Sequence, residues 1–190
     1  MPRIGPALFD LASEHDGVFT AVEAAAAGVS AQALVMAERR GTLRRLSRGM
    51  YRLEQYPSDE NRAQLWEAVL WPKTQRRASN EPSTLSHLTA LALHDPDLMY
   101  RPSRVTISVP TTVRLRRAAI PAWLDIHHAD LVEDDVTTID GLPATTFART
   151  IRDCSAIDTD RRIIDQAIAT ALRSRTIGNA EGRKLRAEIQ

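Results

Sequence analysis

The stretch from Thr20 to Leu53 constrains the fold more than any other part of the chain, because two short capped helices run straight into a basic hairpin. Thr20 stands where a helix N-cap belongs. Glu23, three residues on, completes the capping-box spacing, in which each side chain satisfies a backbone N–H at the other's position. The alanines from Ala24 to Ala27 then favour helix, since they lose little side-chain entropy, and Gly28 suits the left-handed residue that closes a last turn. Ser30 caps a second helix, AQALVMAERR, which Gly41 terminates. Helices joined by so short a connection predict a steep crossing, the geometry of a helix-turn-helix.

Spaced at about 100° per residue, residues 31–40 place Leu34 and Ala37 on one side, flanked by Ala33. That side faces a core. Gln32, Val35, Met36 and Arg39 gather on the other, with Arg40 at its edge and Ser30 at the exposed N-terminus. Gln pairs bidentately with adenine and Arg with guanine, and an apolar tip such as Val35 or Met36 touches a thymine methyl, so this face has chemistry suited to base edges in a major groove. A solvated helix face with an exposed methionine is the alternative reading.

The next segment, GTLRRLSRGMYRLEQY, sets Leu43, Leu46, Tyr51 and Leu53 in loose alternation with arginines around Ser47-Arg48-Gly49, as in a β-hairpin wing. The step from Leu43 to Leu46 breaks strict alternation. It predicts either a bulge at Arg44-Arg45 or a very short first strand. From Ser30 to Leu53 six arginines (Arg39, Arg40, Arg44, Arg45, Arg48 and Arg52) face one acid, Glu38, a local charge of +5 in a chain whose formal net charge is +1. Such clustering beside a candidate reading helix is the footprint of phosphate contacts, each adding roughly −0.9 to the salt slope of binding. An ordinary basic surface is the alternative. The candidate DNA-binding set is therefore Ser30, Gln32, Val35, Met36, Arg39, Arg40, Arg44, Arg45, Arg48 and Arg52. Upstream, Leu8, Leu11 and Ala12 lie at helical spacing before Gly17, and Val18-Phe19 suits a short strand pairing with the wing, which completes a winged helix-turn-helix. Met1 to Gly5 has no apolar run and a single arginine, unlike a signal peptide.

Beyond the wing, Tyr56-Pro57 breaks the strand, and SDENRAQLWEAVLW predicts a helix starting at Ser58 or Asp59. Its apolar stripe is Leu65, Trp66, Val69 and Leu70, and it ends at Pro72. The polar, basic KTQRRASNEPS then reads as a linker or surface loop, and a boundary there gives a winged-helix domain over 1–72 and a second domain over 82–190. In the second, STLSHLTALALHD predicts a short amphipathic helix, and RVTISVP, VRLRR, WLDIHHA and DVTTID alternate as strands. Helices follow near 145–154, 159–174 and 179–188, the last capped by Asn179, so the fold class is α+β. Arg101, Arg104, Arg114, Arg116 and Arg117 form a second basic group that suits a wider DNA footprint, an acidic partner or a solvated sheet face.

Catalytic chemistry finds little support. His127, His128, Asp125, Asp130, Glu133, Asp134 and Asp135 are the best metal candidates, yet adjacent histidines on a strand point to opposite faces and the acidic run reads as a solvated loop. His87 and His94 lie two helical turns apart, about 10 Å, too far to share an ion. Ser86 beside His87 lacks an evident carboxylate partner for a triad. Gly28, Gly41 and Gly49 are helix and turn punctuation, not a phosphate loop. The chain reads as a non-enzyme with no catalytic residue, metal or cofactor. Its one cysteine, Cys154, excludes an intramolecular disulfide, reads as a small core residue and points to the reducing cytoplasm. With 43% hydrophobic residues over 190 positions the chain suits one domain or two small ones, and no apolar run reaches the roughly 18 residues of a membrane span.

The order of these features resembles the AbiEi family of antitoxins, the transcription-repressing partners in type IV toxin–antitoxin pairs. The resemblance rests on LFDLASEHDGVFTAVEAAAAGVS, on LVMAERRGTLRRLSRGMYRL, on LSHLTALALHD, and on VTTIDGLPATTFARTIRDC, which is similar to the family's strand, Gly turn and helix. It implies a bacterial or archaeal protein that binds double-stranded DNA at repeats in its own promoter and represses a bicistronic operon. It also implies that the C-terminal domain supports neutralisation of a nucleotidyltransferase-like toxin. Some chains of this N-terminal architecture continue into an endonuclease with a carboxylate/Lys core, and no D…E-x-K arrangement occurs here. The competing reading is a protein-interaction module whose winged helix holds a partner protein without DNA. A homodimer on inverted half-sites and monomers on adjacent repeats both fit.

Overall fold

Thr20 caps its helix in the way its spacing requires. In a computed structural model that describes residues 4–57, 59–75, 83–97 and 102–189, with the side chains of residues 4, 5 and 117 excepted, the Glu23 N–H donates to Thr20 Oγ1 (3.2 Å). The Thr20 N–H donates back to Glu23 Oε2 (2.9 Å). The chain forms two units, Met1–Glu81 with Val113–Leu115, and Pro82–Thr112 with Arg116–Gln190.

The first unit runs α1 (Ile4–Ser13), β1 (Val18–Thr20), α2 (Ala21–Ala26), α3 (Ala31–Arg39), β2 (Leu43–Ser47), β3 (Met50–Leu53) and α4 (Glu60–Leu70). Gly28 and Gly41 follow α2 and α3 with φ of 80° and 70°, the left-handed backbone that closes a helix at little cost only for glycine. Ser30 Oγ accepts from the Ala33 N–H (3.2 Å), which starts α3. For α4 the cap is Asp59, whose carboxylate accepts from the Arg62 N–H (2.7 Å); Ser58 lies outside the described residues. One 3-10 turn, Trp71–Thr74, carries Pro72 and ends the run.

The three strands form an antiparallel sheet in the order β1-β3-β2. Leu43 pairs with Leu53, Arg44 with Arg52 and Arg45 with Tyr51, and the register shifts between Arg45 and Ser47. The irregularity therefore sits at Leu46, later than the Arg44-Arg45 position that the spacing suggested. One sheet face joins Leu8, Leu11, Ala12, Phe19, Leu34, Ala37, Leu43, Tyr51 and Leu53 in a single core under α1, α2 and α3. Strand residues alternate between faces, so Val18, Met50 and Arg52 lie on the other. There α4 packs along the sheet, and all three are buried.

The second unit contains β4 (Thr84–Leu85), α5 (His87–His94), β5 (Val105–Val109), β6 (Leu124–His128), β7 (Val136–Ile139), β8 (Leu142–Thr145), α6 (Phe147–Ala156), α7 (Arg161–Arg173) and α8 (Asn179–Glu188). Its sheet has the order β6-β5-β4-β8-β7. β4 runs antiparallel to β5 and parallel to β8, and β6 is parallel to β5. β7 and β8 form a hairpin turned by Asp140-Gly141, both at positive φ. Leu91 of α5 packs with Phe147, Ile151, Cys154, Ile164, Ile168 and Leu185. Burial pushes the Cys154 thiol up to about 12, as befits a core residue rather than a nucleophile.

Four details differ from the sequence expectation. Thr84–Leu85 is a strand ahead of α5 and not its first turn, because Leu85 pairs with both Ile107 and Ala144. β8 was not expected; the apolar, proline-bearing LPAT is short and has no clean alternation. VRLRR joins neither sheet and leads into a 3-10 turn over Arg117–Ala119. The cap of α8 is Gly178, with Asn179 its first residue. Most of the basic, proline-bearing linker, residues 76–82, lies outside the described residues. No helix among the described residues is long and apolar enough to cross a membrane.

Candidate nucleic-acid interface

Helix α3 is held by one side and open on the other. Leu34 and Ala37 are each 1% exposed within the core, whereas Val35 and Met36 are 42% and 43% exposed, large fractions for apolar side chains. Ser30, Gln32, Arg39 and Arg40 are exposed with them. Gln32 sits a turn before the apolar pair and Arg39 a turn after, so the open side is one ridge. Glu38, the sole acid of α3, is half-buried.

The arginines divide into two groups. Arg39, Arg40, Arg45 and Arg48 are exposed, and none forms an ion pair with a described residue. Arg45 Nε donates to the Ser47 carbonyl (3.3 Å), and Arg48 occupies the hairpin turn beside Gly49, whose φ is 77°. Arg44 and Arg52 differ, because the fold brings carboxylates to both. Arg44 Nε meets Glu54 Oε1 (3.0 Å) and its Nη2 meets Glu60 Oε2 (3.2 Å). Arg52 Nη1 meets Glu60 Oε1 at 2.6 Å, with only 7% of the Arg52 side chain exposed. Arg52 is thus removed from the expected contact set: strand parity puts it on the face that α4 covers. Hydrogen bonds from the two guanidinium groups hold the Glu60 carboxyl below its usual range.

Other polar contacts fix α4 and the turn after it to the rest of this unit. Asp16, left-handed at φ 51°, accepts from Arg62 Nε (3.0 Å) and Nη2 (2.7 Å) and from Trp66 Nε1 (2.9 Å) through one oxygen. Lys73 Nζ reaches Glu23 (3.2 Å), so the carboxylate that caps α2 also anchors the 3-10 turn. At Gly17 (φ 92°) an added Cβ would stand 3.0 Å from Tyr56 Cβ, so a side chain there meets both strain and a crowded neighbour.

In the second unit the histidines separate by element. His94 Nε2 meets the Thr145 carbonyl oxygen (2.8 Å), while His87, at the opposite end of α5, stacks on His127 with ring centroids 3.9 Å apart. Ser108 Oγ donates to Ser86 Oγ (2.9 Å), which lies 2.9 Å from His87 Nδ1. His87 holds a left-handed φ of 52°, and burial, with His127 and Arg149 nearby, lowers its pKa to about 4. Sequence reasoning missed this cluster, since its members come from two strands and a helix start. The acidic candidates are engaged elsewhere: Asp125 with Arg104 (2.8 Å), Asp130 with Thr111, and Asp135 with Arg149 (2.7 Å). Among the described residues no three His, Cys, Asp or Glu side chains form a metal-ligating group. Of the second basic group Arg114 and Arg116 are exposed, Arg104 is paired, and Arg101 and the Arg117 side chain lie outside the described residues.

Residues 6–53 match the family model described as a transcriptional regulator, AbiEi antitoxin. The match lies wholly within the N-terminal unit. The matched span runs from within α1 to the last residue of β3, and so takes in the whole helix-turn-helix and hairpin but stops before Glu54 and α4. That family is one of transcriptional regulators rather than of enzymes. No curated protein matches the chain. A crystal structure of the RV2827C protein from Mycobacterium tuberculosis is similar over 99% of this chain and 82% of that one, at 17% identity and a TM-score of 0.46.

Proposed function

We propose that this protein is a sequence-specific DNA-binding repressor of its own operon, the antitoxin of a type IV pair. In this reading α3 enters the major groove with Ser30 toward the backbone and Gln32, Val35, Met36, Arg39 and Arg40 toward base edges. Arg45 and Arg48 grip phosphate. Arg44 contributes less, since Glu54 and Glu60 already neutralise it. The second unit serves neutralisation of a nucleotidyltransferase-like toxin, as the family implies. One observation supports this reading above others: the ridge Gln32-Val35-Met36-Arg39 stands in solvent while the opposite side of the same helix is locked in the core.

An electrophoretic shift with the DNA upstream of the gene, across a salt series, tests it. A complex that weakens steeply with salt is expected. Absence of any salt-sensitive complex overturns it, and a stable complex with the neighbouring gene product in that case assigns the winged helix to protein contact.

A further inference from the structure

We infer that α3 reads the 5-methyl groups of thymine, with Val35 and Met36 as the reading side chains. The inference rests on the DNA-binding reading and adds what the helix recognises. Val35 and Met36 are consecutive, 42% and 43% exposed, and stand midway along a nine-residue helix. From Gln32 to Arg39 the ridge spans about 10 Å at 1.5 Å per residue, close to three base-pair steps of about 3.4 Å. Exposed apolar side chains gain by meeting an apolar partner, and the flanking groups restrict what it is. Gln32 offers a paired donor and acceptor, Arg39 and Arg40 are exposed cations, and the only acid on the helix is half-buried. An apolar pair framed by cations and an amide complements a surface that is anionic at its edges and apolar at isolated points. The major groove at A·T pairs is such a surface, because the thymine methyl is its apolar feature and adenine beside it presents the N6/N7 edge that Gln pairs with.

Uracil keeps every hydrogen-bonding group of thymine and loses only the methyl, so it isolates the proposed contact. On the upstream duplex that gives the salt-sensitive complex, the full chain is compared on DNA made with thymidine or with deoxyuridine throughout. Each buried methyl is worth about four-fold in affinity. Two contacted methyls therefore lower affinity for the uracil duplex by about an order of magnitude, with the salt slope unchanged. Val35→Ser combined with Met36→Ser is expected to bind both duplexes equally, at the weaker affinity. Equal wild-type affinity for the two duplexes overturns the inference and leaves the DNA-binding reading standing. A double variant that still prefers thymine overturns it too, because DNA shape would then be the cause. No salt-sensitive complex with either duplex removes the parent reading and this inference together.

Discussion

The exposed arginines of the first unit and the buried ionisable groups of the second are held in opposite ways. In the first, Arg39, Arg40, Arg45 and Arg48 stand in water without an acidic partner among the described residues. In the second, His87 is buried against Ser86 and His127, and Arg149 lies between Asp135 and Asp153 (2.7 and 2.8 Å) with about a fifth of its side chain exposed. Groups solvated in this way add little to stability and remain available to a ligand. Groups buried in hydrogen bonds are costly to disturb and hold a fold together. Substitutions of these four exposed arginines should therefore register in DNA binding, and those of His87 or Arg149 in unfolding.

The largest test is Arg149→Ala, which leaves two mostly buried carboxylates without their shared cation. A stability loss of about 3 kcal/mol is expected in urea unfolding, with the salt dependence of DNA binding unaltered. A shift in that dependence would break the contrast. Acid titration comes next. The folded chain keeps His87 neutral down to about pH 4, whereas the unfolded chain protonates it near 6.5. The unfolded state thus gains the proton first, and stability falls as pH drops from about 6.5 to 4, by about 2–3 kcal/mol in all. His87→Asn, which tolerates the same left-handed backbone, should lose that acid-dependent limb when unfolding is followed against pH.

Arg39→Ala should weaken specific DNA binding by about 1–3 kcal/mol if the side chain grips a base bidentately, while thermal unfolding stays as in the parent chain. The finest test sets two hairpin arginines against each other. Arg48→Ala is expected to reduce the magnitude of the salt slope by about 0.9 and to leave the unfolding midpoint unchanged. Arg52→Ala should do the reverse, lowering the midpoint without touching the slope. If both act on the slope, the division between outward and inward arginines is wrong.

Much of the first unit could be read from sequence because its signals are local. Thr20 and Glu23, Ser30, Gly28 and Gly41 act within a turn of one another, and the capping geometry that follows depends on little else. The open face of α3 was legible for the same reason, since helical spacing alone separates Leu34 and Ala37 from Val35 and Met36. Arg52 was not. Hairpin alternation sets it on the face away from the Tyr51 core, which suggests solvent, but that face is buried by α4, an element outside the pattern being read. The same long reach explains the misjudged charge. Glu54 and Glu60 lie just past the arginine window in sequence and directly on Arg44 in space. In the second unit the strand Thr84–Leu85 is too short to have a period and exists only because two distant strands flank it. His87 and His127 meet through that same pairing, β4 to β5 to β6, which no spacing within either segment reveals.

Glu54 has a further consequence for how this hairpin meets a polyanion. Where a lysine or arginine bathed in electrolyte lets the duplex shed a mobile cation on contact, Arg44 arrives already tethered to a covalently attached anion. A phosphate that takes Arg44 leaves Glu54 seeking a mobile cation from the buffer, which offsets the one the DNA gives up, while Glu60 keeps Arg52. Titration with salt will then report fewer arginines than touch the DNA, and the missing one will be the residue with two glutamates at its side.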